Sequence, residues 1–486
     1  MKRFLFACII SLFPSFALAQ DENPVTDDFY DDMKDLTSVV HFDDHMSVMQ
    51  VNTSNDSFDL IALNDNMQVL WRTTIAGYGI KVGKFKNKIA AVAAAEHSTM
   101  KGNGNTYKGF IIDPATGKTL VEKVIYDDNK DYIEQAKVLI GDNYFKIVVR
   151  QTNVTRSIHV GIPIFVIFQL NSWTKEMNST QKMNIIDLDD KLQPVSTVNP
   201  VVLGTFITAI CNERGDVFVS WLNGSDIEVY KYDVNKTAPS AQLTADVAIK
   251  PNDSMYLGDM ILFATSKTNP GDLYYSLMYR NEDKDMEVLL GKMDFAANKK
   301  NGITQVIKKA DLKAVEKSFV VINKKMNDPD LGTPRELELR SLVKTDDNVI
   351  LTFSGEVTYT SNYGSYTLGK SLLLNVYDND LKPKFQQVFP PHFVNEGSES
   401  GLHAVKNKLY VVSNDKDGRE NKGSYGVLDL NTGQWDRMYY LTRKSIKGYL
   451  DGADVLWYGN GFIAPYLKIH GMFTEKYNLS IQANQY

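Results

Sequence analysis

One stretch constrains the fold more than any other. Lys108 to Ile125, KGFIIDPATGKTLVEKVI, reads as an apolar strand, a Pro-Ala-Thr-Gly turn and a returning strand. Pro114 presets φ at the turn, Gly117 supplies φ > 0, and Asp113 and Thr116 can bond the turn's own backbone. The outgoing hairpin recurs at Phe58 to Ile75, Ile164 to Ile185, Ile227 to Ile249, Met286 to Ile307, Leu372 to Phe389 and Tyr425 to Leu441. An eighth copy, Tyr477 to Ala483, runs off the C-terminus.

A second signal precedes most copies: a tight polar turn feeding a strand that is nearly continuous in apolar residues. The turns are Lys86-Asn87, Asp142-Asn143, Arg214-Gly215, Asp347-Asn348, Lys406-Asn407 and Asn460-Gly461. Asn and Gly at such positions mark hairpins, and unbroken apolar strands mark the buried centre of a sheet. The unit is two hairpins, four strands, repeating every ~50 to 60 residues. Nothing alternates with helices, so a parallel α/β sheet is excluded. The expectation is an all-β propeller of four-stranded blades, with eight blades favoured and seven as the alternative. The last blade lacks its outermost strand. A segment within Asp28 to Asp44 is expected to supply it and close the ring.

Lys308 to Arg335 interrupts the rhythm. Leu312, Val315, Phe319 and Ile322 fall at helical spacing, Asp311 can cap the start and Pro329 stops it, which predicts a short helix on a rim.

Asp113-x-x-Thr116-Gly117-Lys118 resembles the docking motif of the quinoprotein-type (PQQ-like) propeller repeat, D-x-x-T-G-K-x-x-W. Val121 stands at the tryptophan position. Asp429-x-x-Thr432-Gly433 matches again with Trp435 early, Trp71 closes the first copy in place, and Phe385 takes the equivalent position in DNDLKPKF. The resemblance covers most of the chain as a rhythm and is specific in three or four copies. It implies that the aromatic ring packs between blades and that the motif itself holds no quinone. The adjacent cysteine pair of many quinone-dependent alcohol dehydrogenases is absent, so no cofactor is expected.

Residues 1–19 read as an export signal. Lys2 and Arg3 precede an apolar run, Phe4 to Phe13, and Ala17-Leu18-Ala19 is a small-residue cleavage site. The run is too short to anchor the chain, and no later one reaches about 18 residues. Residues 20–486 are then a single propeller domain, expected in the periplasm or outside the cell as a monomer. Removing Lys2 and Arg3 takes the net charge from -6 to -8, which argues against a nucleic-acid partner. Cys211 is the one cysteine left and reads as a buried, inert thiol. Eight N-x-S/T sites, Asn52 and Asn478 among them, carry no meaning in a bacterial export.

Few residue sets carry chemistry. His41, Asp43 and His45 would share one face of a strand about 7 Å apart and form a weak metal candidate. Asp415 and Asp417, in Ser413-x-Asp415-x-Asp417-Gly418, resemble the start of a calcium loop, as does Asn281-x-Asp283-x-Asp285. Neither has Glu at the twelfth position. No nucleophile elbow, P-loop, zinc-protease helix or dinucleotide fingerprint is present. The long loops carry Tyr107, Arg156, His159, Tyr359, Tyr363, Tyr366, Arg419 and His470, and all should emerge on one rim. Exposed aromatics and arginines suit recognition. The reading is a non-catalytic exported propeller that binds a protein or glycan or scaffolds an envelope assembly. The alternative is a carbohydrate-active hydrolase or lyase, with acids converging at the central channel.

Overall fold

The computed structural model describes residues 25–95, 97–98, 102–103, 106–127, 136–152, 180–247, 261–280, 285–323, 326–361, 364–393, 399–417, 420–442, 448–470 and 476–486. Eight antiparallel sheets form a ring. Strands are lettered a to d outward, because the a strands of neighbouring blades come together. Blade one is Asp35–Asp43, Met46–Asn52, Ser57–Asn64 and Val69–Ala76; blade two is Tyr78–Phe85, Lys88–Ala94, Thr106–Ile112 and Thr119–Asp127. Blade three is Lys137–Gly141, Tyr144–Thr152, Thr180–Leu188 and Pro194–Val198; blade four is Thr205–Cys211, Val217–Asn223, Asp226–Tyr232 and Ala241–Asp246. Blade five is Leu262–Thr265, Asp272–Arg280, Met286–Asp294 and Lys299–Ile307; blade six is Leu337–Lys344, Val349–Ser361, Leu372–Tyr377 and Pro383–Phe389. Blade seven is Gly401–Val405, Lys408–Asp417, Glu420–Asp429 and Trp435–Tyr440. Blade eight takes a broken a strand (Tyr449–Leu450 and Leu456–Trp457), then Gly461–His470, Lys476–Gln485 and, from the N-terminus, Thr26–Met33.

The expected closure is therefore present, made by Thr26–Met33. Tyr30 lies opposite Leu479 and Met33 opposite Tyr477. Tyr30 Oη donates to Asp59 Oδ2 at 2.5 Å, and Arg72 Nε donates to the same oxygen at 2.8 Å, so the closing strand is clasped to blade one. The core is divided into eight apolar clusters, one at each blade-to-blade interface. Each b strand is buried on both faces, as its unbroken apolar run requires; all of Met46–Asn52 is buried. Lys86 and Asn87 turn with φ of 47° and 58°, the two positive values of a type I′ hairpin.

The docking motif works between blades. Trp71 Nε1 donates to Pro114 O at 2.7 Å, and Thr73 Oγ1 donates to Gly117 O at 2.7 Å, so blade one holds the turn of blade two. Phe385 lies against Gly433, and Gln387 Nε2 donates to Gly433 O at 2.6 Å, the same arrangement between blades six and seven.

Two expectations need correction. The outgoing hairpin of blade three is Thr180–Leu188 with Pro194–Val198, so Ile185, expected to end the hairpin, lies within its first strand; residues 164–179 of the expected copy lie outside the described residues. The helix, α1, is Lys309–Ser318 and ends well before Pro329. Asp311 lies in its first turn rather than at its cap, and Phe319 is already extended. Leu312 and Val315 are the face that α1 buries against blades five and six.

Candidate functional site: a crest over blades six to eight

The b–c hairpins of three adjacent blades rise past their sheets. In blade six the b strand leaves its sheet after Gly355 and continues through Glu356–Ser361 as a ribbon with the short strand Gly364–Gly369. Alternating Thr and Tyr residues favour such a ribbon. In blade seven, b–c pairing runs on to Asp417 opposite Glu420, past the last a-strand partner, Val412. In blade eight it runs on to His470 opposite Lys476, past the last a-strand partner, Leu467. These ribbons share the rim that carries the links between blades.

Tyr359 stands on the crest, 45% exposed, with Tyr366 as its cross-strand neighbour. Thr358 and Thr367 join hydroxyls beside them at 3.0 Å. The neighbouring ribbon, on blade seven, carries Lys416 and Lys422, and Lys422 Nζ is 5.2 Å from the Tyr440 ring. His470 is half-buried and committed to the closing strand, with Nε2 2.7 Å from Asn478 Oδ1 and 3.4 Å from Asp32. Arg156, His159, Tyr363 and Arg419 lie outside the described residues. Tyr107 is not on the rim. It is fully buried between blades two and three, and its hydroxyl accepts from Ala136 N at 3.2 Å.

The suggested calcium stretch at Ser413 is the foot of the crest, a paired strand rather than a loop. Asp415 is fully buried. Its oxygens accept from Asn327 Nδ2 at 2.8 Å, His392 N at 3.0 Å and Tyr440 Oη at 2.7 Å. It anchors the insertion, the link between blades and an outer strand at one point. Asn414 Nδ2 donates to Leu450 O, and Asn414 Oδ1 accepts from Leu450 N, both at 2.7 Å, fixing blade seven to blade eight. Of the second suggested stretch only Asp285 is described. His41, Asp43 and His45 do not share a regular face, because the strand bulges between His41 and Asp43. Asp43 Oδ1 accepts from the backbone of His45 and Met46, and His41 meets the edge of Tyr458. Among the described residues no group of three His, Cys, Asp or Glu is placed to hold a metal.

Sequence reasoning missed a set of acids at the inner end of the crest. Asp451 and Asp454 occupy the break in the a strand of blade eight. Glu399 immediately precedes the a strand of blade seven, and its carbonyl lies tight against Gly452. Burial and then the Glu399 charge push Asp451 up to about 6. Burial and then the Asp451 charge push Asp454 up to about 7, against the opposing pull of Lys81 on the a strand of blade two. Asp451 and Asp454 therefore hold protons available near neutrality. On the opposite rim a cleft of about 550 Å³ separates blades four and five. Its lining cations are each paired: Lys292 with Asp272 at 2.8 Å, Lys231 with Asp233 and Asp216, and Arg214 with Asp216 at 2.9 Å. Cys211 is part-exposed as a residue, yet burial pushes its thiol up to about 12, which keeps it protonated.

No protein-family model matches the chain, and no curated protein does. Its backbone is similar to the WD40 domain of SCAP from fission yeast, at 8% identity and a TM-score of 0.44 over 95% of this chain and 98% of that one. It is also similar to Chaetomium thermophilum Sqt1 bound to the N-terminus of the ribosomal protein L10, at 9% identity and a TM-score of 0.48 over 91% and 97%. A prolyl endopeptidase aligns at 12% and 0.40 over 89% of this chain and 54% of that one. Likeness at this level carries no functional argument.

Proposed function

We propose that the protein is an exported, non-catalytic propeller whose crest over blades six to eight binds a protein or glycan partner. One observation carries this reading. Three neighbouring ribbons rise from one side of the rim, and the one on blade six presents Tyr359 to solvent beside a lysine-bearing neighbour. Tyrosine supplies a large face and one hydroxyl at low entropy cost, and a rigid ribbon presents it without further ordering. Residues 1–19 supply the export signal in this reading. A glycan array and a protein array, probed with the purified chain and with Tyr359→Ser/Tyr363→Ser/Tyr366→Ser, test it. A specific ligand should be found and then lost in the variant, with folding intact. Undiminished binding by the variant would place the site elsewhere.

Asp451 and Asp454, in the broken a strand of blade eight, support a second reading, a carbohydrate-active hydrolase or lyase. Carboxyls titrating near neutrality can donate and accept protons. Release of reducing ends or unsaturated products from an oligosaccharide library, abolished by Asp454→Asn, is its test. Absence of turnover across the library removes it.

A further inference from the structure

The insertion between blades five and six inverts the charge of the molecule locally. From Lys308 to Lys325 it carries six lysines against Asp311 and Glu316, a net +4, in a chain whose total is -6; the remainder is therefore -10. Lys308, Lys309, Lys313 and Lys317 are all exposed. Directly after α1, three consecutive apolar side chains face solvent: Val320 is 75% exposed, Val321 53% and Ile322 40%.

This segment is held in place. Leu312 and Val315 pack into the interface of blades five and six, and Phe319 reaches the interface of six and seven. Glu316 Oε1 accepts from Leu331 N at 2.8 Å, and Asn323 Nδ2 donates to Met438 O at 3.2 Å on the outer strand of blade seven. The strap thus crosses the outer edges of two blades with both flanks fixed and its apolar tip turned outward. Among the described residues, Val320, Val321 and Ile322 join none of the apolar clusters, so their exposure carries an unfavourable hydration cost.

We propose that this strap docks the protein on an anionic phospholipid bilayer, with Val320, Val321 and Ile322 entering the headgroup–acyl boundary and Lys308, Lys309 and Lys317 facing lipid phosphates. Composition selects lipid over a protein surface. Protein interfaces are enriched in Arg, Tyr and Trp and depleted in Lys. The strap has no Arg, Tyr or Trp from Lys308 to Lys325, and its one aromatic, Phe319, is used for packing. Lysines around a small apolar tip are what an anionic interface rewards, each charge and each buried methylene adding separately. Docking of this kind is peripheral and needs no span; no helix among the described residues is long and apolar enough to cross a membrane.

Vesicle flotation tests it. Phosphatidylcholine vesicles with ~30 mol % phosphatidylglycerol should carry the full chain upward, whereas phosphatidylcholine alone should not. Raising salt from ~0.05 M to ~0.5 M should lower the bound fraction steeply. Lys309→Glu/Lys317→Glu and Val320→Ser/Val321→Ser/Ile322→Ser should each weaken partition about tenfold or more. Lys313 is left intact because it pairs with Glu316 at 2.6 Å. If the apolar variant is unstable, the charge variant, which alters only exposed side chains, decides alone. Equal binding to both vesicle types, no flotation with the anionic ones, or indifference to the charge reversal overturns the proposal; no flotation would make the strap a protein contact.

Discussion

The indole of Trp71 fills the space where a side chain on Gly117 would begin: a carbon added to Gly117 would lie 2.5 Å from Cε3 of the ring. The turn of blade two therefore needs a glycine twice, for this contact and for its φ of +69°. Trp71 is 8% exposed, and its Nε1 is bonded to the same turn. Trp71→Ala should cost about 3–5 kcal/mol, as large-to-small core changes do. Gly117→Ala should cost at least ~1 kcal/mol through the left-handed backbone alone. Urea unfolding measures both; a Trp71→Ala midpoint matching that of wild type would show that the ring does not join the blades.

The clasp at the seam makes a second prediction. Asp59 is buried and accepts from Tyr30, Arg72 and Thr74, so the closing strand depends on one carboxylate. Tyr30→Phe removes two charge-assisted bonds, the one donated to Asp59 and the one accepted from Arg72 Nη2 at 2.9 Å, and should cost about 1–3 kcal/mol. It should also expose the N-terminal strand to limited proteolysis before the rest of the ring. Cleavage that begins in another blade would contradict the seam as the first element to open.

Asp415 joins three elements through three donors. Asp415→Ala leaves His392 N and Tyr440 Oη without that acceptor in a buried site and should cost about 2–5 kcal/mol. Asp415→Asn, which keeps an acceptor oxygen, should cost less. Added calcium should shift neither melting temperature.

Much of the ring was legible because its signals are local. Lys86-Asn87 and Pro114 to Gly117 specify turns from neighbouring residues alone, and the two-hairpin count gave eight. A closing strand was expected within Asp28 to Asp44 because an unpaired edge in blade eight had to be covered, and Thr26–Met33 supplies it. Tyr107 was misplaced although its strand held the answer: Tyr107, Gly109 and Ile111 alternate onto one face, and Ile111 is core. Asp451, Asp454 and Glu399 were not legible. Their spacing is irregular, and only ring order brings the inner strands of blades seven and eight together.

Those acids predict a pH effect with a definite sign. Raised carboxyl pKa values mean that the folded state holds protons the unfolded chain has released. Their stabilising contribution is complete below about pH 4 and is lost as pH rises through about 6 for Asp451 and about 7 for Asp454. His403, lowered to about 4 by burial and then by His41 and Lys267, acts oppositely between there and its unfolded value of about 6.5. The informative quantity is therefore a difference. Asp451→Asn/Asp454→Asn should melt above wild type at pH 8, and the gap should close toward pH 5. A gap independent of pH would show that neither carboxyl is raised.

The crest as the binding face is tested most directly by hydrogen–deuterium exchange with and without an array-identified ligand. The prediction is ligand-dependent protection in Glu356–Gly369, Ser413–Ser424 and Lys468–Asn478. Protection confined to the opposite rim, at Lys86-Asn87 or Arg214-Gly215, would contradict it.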